Sequence, residues 1–149
     1  MVARAAPGVV HTTRQSGYIV GPVASDLQEL GEKNKRVALA TAFYSAGLLD
    51  QIEIKAKHIR LMVRLDLRSV EDWAAGRIAP DALLRFIRRH TSSGAKLDLR
   101  IHQAAHAKIY ISDESFLCGS ANLSLRGFAG LGNEILWLER DERRISDMW

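Results

Sequence analysis

The segment Arg36-Val-Ala-Leu-Ala-Thr-Ala-Phe43 is an almost unbroken apolar run of strand length, and Ile59-Arg-Leu-Met-Val-Arg-Leu65 follows as a second. A strand reads as continuously apolar when both of its faces are covered. Between the runs, Leu48, Leu49, Ile52 and Ala56 recur at helical spacing behind Ser45, a residue suited to cap a helix. Strand, helix and strand within about 30 residues is the mark of a right-handed crossover unit, so the two strands are expected as parallel neighbours in an α/β sheet.

A chain of 149 residues with 47% hydrophobic content fills one ordinary core and not two, so a single domain is expected. Residues 1–16 mix small, polar and basic types without periodicity and read as a flexible N-terminal arm; residues 17–149 form the domain. Gly17 to Pro22 predicts an edge strand, and Ser25 with Gln28 has the spacing of a capping box for a helix from Asp26 to Lys33. Ser69 with Asp72 opens a helical stretch that Gly76 breaks. Pro80 starts another, with Leu83, Leu84 and Ile87 inward, and Gly94 ends it. Lys96 to Ile101 alternates polar and apolar residues, which predicts a strand with one wetter face. Residues 107–112 and 115–118 predict a hairpin turning at Asp113-Glu114; after a glycine-rich loop, residues 133–139 give the last strand and 141–149 a helix. The expected class is α/β, with a mixed, largely parallel sheet flanked by helices on both faces.

Alternation along the first hairpin strand puts His106 and Lys108 on one face while Ala107, Ile109 and Ile111 anchor the other. An imidazole and an ammonium then stand side by side on a rigid element, as a group attacking an anion requires. The second hairpin strand ends in Gly119-Ser120-Ala-Asn122, where glycine permits close backbone approach to a ligand and Ser120 and Asn122 offer neutral donors. Glu134 begins a further strand, where its carboxylate can accept the Nδ1 proton of a histidine and fix its tautomer.

His106-x-Lys108-x4-Asp113 followed by Gly119-Ser120-x-Asn122 resembles the signature of the phospholipase D superfamily, and the wording Ala-His-Ala-Lys-Ile-Tyr and Gly-Ser-Ala-Asn-Leu-Ser is most similar to its nuclease branch. The resemblance implies the phospholipase D-like fold and a two-step displacement at phosphorus without a metal or other cofactor. His106 would form a covalent phosphohistidine, and a second histidine would protonate the leaving oxygen. Lys108, Asn122 and Ser120 would neutralise the non-bridging oxygens, and Glu134 would orient His106. Asp113, at the hairpin turn, is assigned structure or peripheral binding; five residues separate it from Gly119 where six are usual in the family. One motif copy where the mechanism needs two histidines implies a symmetric homodimer with both copies of His106 at the two-fold interface. The implied activity is an endonuclease acting on DNA, in a restriction or defence system. Its rivals are a lipid phosphodiesterase and a nucleic-acid-binding subunit that keeps the phosphate pocket without turnover.

Lys and Arg exceed Asp and Glu by 21 − 17 = 4, a balance that suits a polyanionic partner. Arg126, beyond the small-residue loop, is a candidate for a nucleic-acid backbone contact. The cluster Arg85, Arg88, Arg89 is either a phosphate patch or a solvated helix face. His102 is four residues from His106, but a strand position for His106 and the lack of a third ligand argue against a zinc pair; His102 is read as substrate-facing or structural. Cys118 is the only cysteine, which excludes an internal disulfide and a Cys-x-x-Cys metal site and fits a reducing, cytoplasmic setting. Cys118, Trp73 and Trp137 are read as core. No apolar run approaches the roughly 20 residues that cross a bilayer, so no membrane partner is expected.

Overall fold

The computed structural model of the chain describes residues 16–20, 24–128 and 134–149. Its strands are β1 (Gly17–Val20), β2 (Arg36–Thr41), β3 (His58–Arg64), β4 (Lys96–His102), β5 (Lys108–Ser112), β6 (Phe116–Gly119) and β7 (Ile135–Glu139). Its helices are α1 (Ala24–Lys33), α2 (Ala46–Gln51), α3 (Val70–Ala74), α4 (Pro80–Ser92), α5 (Leu125–Phe128) and α6 (Glu142–Ser146).

The strands form one seven-stranded sheet in the order β1-β7-β6-β5-β2-β3-β4. The crossover expected from the two apolar runs is present: β2 and β3 pair in parallel, Val37 against Ile59 and Leu39 against Leu61. β4 extends this parallel half. The other half is antiparallel, with β5 on β2, β6 on β5, β7 on β6 and β1 on β7. The sheet is therefore mixed and flanked by helices, as expected, but antiparallel pairs outnumber parallel ones, so "largely parallel" is corrected. Only the two helical crossovers force parallel pairing; the hairpin and the return of β7 do not.

One sheet face carries the core. Val37, Leu39, Ile59, Leu61, Tyr110, Leu117 and Leu136 are buried against Leu27 and Leu30 of α1, Leu48 and Leu49 of α2, Leu83 and Phe86 of α4 and Phe128 of α5. The opposite face is thinner. Ala38, Ala40, Met62, Ile109 and Ile111 line an open concavity of about 370 Å³ there, beside Arg60, Asp98 and Arg100. Beyond α6 the chain reaches this second face, where the Trp149 ring lies under Arg36 and Arg60; from α6, Arg144 pairs with Glu139 at 3.0 Å. The double-sided cover expected for residues 36–43 is thus corrected: Ala38 and Ala40 are apolar but half-exposed.

Helix limits follow local chemistry. Gly76 (φ +64°) and Gly94 (φ +87°) adopt the left-handed backbone that follows α3 and α4. Asp141 accepts from the backbone N–H of Arg143 and Arg144 and so caps α6. α1 begins at Ala24, which places Ser25 inside the helix instead of at its cap. Ser45 stands at the cap position of α2, yet its hydroxyl accepts from Leu125 N at 3.3 Å and leaves the helix uncapped. Arg85 holds Asp50 through two hydrogen bonds, and Arg89 donates to the carbonyls of Leu49, Asp50 and Ile52. The pair therefore closes the end of α2 and is no free phosphate patch.

Of the expected arm, only Ser16 is described; it donates to Glu139. Gly130 and Gly132 of the glycine-rich loop lie outside the described residues. Among the described residues no helix is long and apolar enough to cross a membrane.

Candidate active site

Residues His106, Lys108, Gly119, Ser120 and Asn122 line one open concavity of about 570 Å³. Three chain segments deliver them: the approach to β5, the start of β5, and the loop that leaves β6. His106 sits two residues before β5 and is exposed, not on the strand as expected. Lys108 opens β5 opposite Thr41 and donates from Nζ to His106 O at 2.9 Å, which ties the histidine's backbone to the lysine. Partial burial lowers the Lys108 pKa from its ordinary value, and the Glu134 carboxylate works in the other direction.

The loop from Ser120 to Leu123 is pinned at successive residues. Ser120 N donates to Ile135 O at 3.0 Å, and Tyr110 Oη donates to Ala121 O at 2.7 Å in the core. Asn122 Oδ1 accepts from Phe43 N at 3.1 Å. Leu123 N donates to Thr41 Oγ1 at 3.1 Å, and Leu123 O accepts from Ser45 N at 3.1 Å. With its carbonyl oxygen held, Asn122 offers its amide Nδ2 as the donor, which is the polarity an anion needs. A loop fixed on so many sides holds its donors without reorganisation when a ligand arrives.

Gly119 has a different reason from the one expected. A side-chain carbon there would come 2.9 Å from Leu136 Cα and closer still to Ile135 O, so the glycine is required by the approach of β7. Gly127 plays the same part for α5: a side chain would meet Asn122 O at 2.5 Å and Asn122 N at 3.1 Å.

Glu134 does not bond His106; among the described residues no hydrogen bond joins the two. Its carboxylate accepts from Ser120 Oγ, which itself accepts from Ile135 N at 3.0 Å. Glu134 therefore orients the serine, and the expected tautomer lock on His106 is corrected. Asp113 is at the far end of β5, roughly 17 Å from Lys108 along the strand. It accepts from Lys35 N and Arg36 N, both at 2.9 Å, and pairs with Arg36 Nε at 2.7 Å. Burial would raise its pKa, but the Arg36 guanidinium and the two backbone N–H groups hold it below the usual value. Asp113 anchors the start of β2 and does not line the concavity.

His102 ends β4, exposed, with Nδ1 accepting from Ala104 N at 3.1 Å, and does not line the concavity. Arg126 is exposed on α5, next to the pinned loop but outside the concavity. Trp73 is 39% exposed and Cys118 half-buried, so neither is core. Among the described residues no group of three His, Cys, Asp or Glu is placed to hold a metal ion. Of the positioning residues, Thr41, Phe43 and Tyr110 were not singled out from the sequence, and Ser45 was read only as a helix cap. Tyr110 alone had a signal there, since alternation places it on the same face as Lys108.

No family model and no curated protein matches the sequence. Solved structures do match the fold. NucT from Helicobacter pylori superposes with a TM-score of 0.60 at 11% identity, covering 90% of each chain. Nuc from Salmonella typhimurium, a phospholipase D family member, gives 0.56 at 13% identity, again over 90% of each chain. TrmBL2, an archaeal chromatin protein with a novel mode of DNA binding, gives 0.56 at 18% identity; 94% of this chain spans about half of that protein, 51%. With its mixed seven-stranded sheet, flanking helices and these likenesses, the chain has the fold of the phospholipase D superfamily.

Proposed function

We propose that the chain is a metal-independent phosphodiester hydrolase that cleaves nucleic acid, DNA in the first place, through a covalent phosphohistidine on His106. The observation that carries this reading is the convergence of an exposed imidazole, an ammonium and a rigidly held amide donor on one concavity. An imidazole nitrogen of His106 attacks phosphorus; the P–N bond forms as the bond to the leaving oxygen breaks, and that oxygen takes a proton from a second histidine. Water then attacks the phosphohistidine, the P–N bond breaks, and the second histidine recovers a proton from the water. Lys108, Asn122 Nδ2 and Ser120 stabilise the charge on the non-bridging oxygens, with Glu134 aligning Ser120. The second histidine is His106 of another copy: the residue's exposed position before β5 suits an approach across a two-fold axis.

Plasmid DNA incubated with the protein in excess EDTA tests the reading, with His106→Ala as control. Cleavage that persists in EDTA and disappears in the variant is expected; cleavage that needs added magnesium overturns the mechanism. A second reading, a DNA-binding subunit without turnover, has in its favour the absence of a Glu134–His106 bond among the described residues and the likeness to the chromatin protein. Retarded plasmid mobility with no cutting by the wild type supports it.

A further inference from the structure

The loop that holds Asn122 leads into a charged cluster that the catalytic set does not use. Residues 43–45 run between two neighbouring segments, with Tyr44 bridging Leu123 on one side and Ile78 on the other. Phe43 N donates to Asn122 Oδ1 at 3.1 Å, and Tyr44 N donates to Arg77 O at 2.9 Å. Two bridge spacings therefore put the Arg77–Ile78 backbone roughly 10 Å from that of Asn122–Leu123.

Beside the Phe43 ring stand two guanidinium groups, Arg64 at 5.5 Å and Arg77 at 6.0 Å from the ring centroid. Both turn to one carboxylate: Asp72 lies 3.1 Å from Arg77 Nη1 and 3.6 Å from Arg64 Nη2. The Ser69 hydroxyl donates to the same carboxylate at 2.7 Å. Asp66, which also acts on Arg64, is paired with Arg68 at 3.4 Å, so Arg64 and Arg77 facing Asp72 leave the cluster net positive. Arg64 Nε is taken by Gln103 O at 3.2 Å, but among the described residues Nε and Nη2 of Arg77 have no acceptor, and the Arg77 side chain is 58% exposed. A network that only stitched α3 to β3 would need one arginine; the second stands in solvent, with free donors, beside the segment that orients Asn122.

Resting on the phosphodiester reading of the site, we infer that Phe43, Arg64 and Arg77 form a subsite for a second phosphate, the one flanking the scissile group on the same nucleic-acid strand. The guanidinium groups take the phosphate oxygens, and the aromatic ring packs against the sugar or base between the two phosphates. A diester with a single phosphate has nothing to place there, so the subsite favours polynucleotides over isolated diesters.

Arg77→Gln is the test, measured with a labelled single-stranded DNA oligonucleotide and with bis(p-nitrophenyl) phosphate, which has no flanking phosphate. The ratio of kcat/KM for the oligonucleotide to that for the small diester falls about tenfold, and Arg77→Lys, which keeps the charge, recovers part of the loss. An equal fall on both substrates, or none on either, overturns the subsite. A wild type that hydrolyses neither substrate defeats the hydrolase reading alone, and the subsite is then read from oligonucleotide binding. There Arg77→Gln reduces the slope of log affinity against log salt by about 0.7, and an unchanged slope overturns it.

Discussion

Asn122 has its Oδ1 held by Phe43 N–H at 3.1 Å, its backbone packed by Gly127, and its neighbours tied to Tyr110 and Thr41. Its orientation is therefore a property of the fold and not of the ligand. Asn122→Asp keeps the shape and the bond to Phe43 but replaces the donor with an anionic oxygen facing a phosphate. We expect kcat/KM on a small phosphodiester to fall about 10²–10³-fold, with the melting temperature little changed; a fall below about tenfold would take Asn122 out of the phosphate contact. At this scale the sequence was informative where residue types are rare in combination: His106, Lys108, Ser120 and Asn122 do meet. It misled on Glu134, because a carboxylate at a strand start looks the same whether it orients a histidine or a serine. It was silent on the hold of Phe43 on Asn122, because that hold is a backbone N–H that any residue but proline supplies.

Hairpin β5–β6 carries the site at one end and Asp113 at the other, and the two ends do different work. Removing the acceptor with Asp113→Ala leaves Lys35 N, Arg36 N and the Arg36 guanidinium without a partner, at a cost of about 1–2 kcal/mol, read as a lowered melting temperature. Because the folded pKa of Asp113 lies below its ordinary 3.8, its contribution is present above that pH and fades as the pH falls through the folded value. The difference between wild type and Asp113→Ala should therefore narrow in acid; a difference that holds at all pH values would exclude the ionised carboxylate as its cause. Most elements were legible from periodicity, including the β2–α2–β3 crossover and the hairpin. Two features were not. Alanine is apolar wherever it sits, so Ala38 and Ala40 gave the second face of β2 a buried look that the open concavity contradicts. Strand direction is set by how the chain returns, and nothing in the composition of residues 135–139 announced that β7 would slot in antiparallel to both neighbours.

On the scale of the whole molecule, the two-fold arrangement proposed above makes a quantitative claim. Wild-type protein re-equilibrated with an equal amount of His106→Ala retains about one quarter of its dimers with both histidines. Activity per total protein should follow that fraction, where independent monomers would retain about one half. The same scale exposes an effect of strand order. β7 lies between β1 and β6, and its first residue, Ile135, braces Ser120 at both the backbone N–H and the hydroxyl. During synthesis His106, Lys108 and the Gly119–Asn122 loop all leave the ribosome before residues 135–139 exist. Until those residues emerge the loop lacks its outer brace, and β1 has no partner to lie against. The order in which the strands are made thus delays the bracing of the Ser120 loop until synthesis has passed β7.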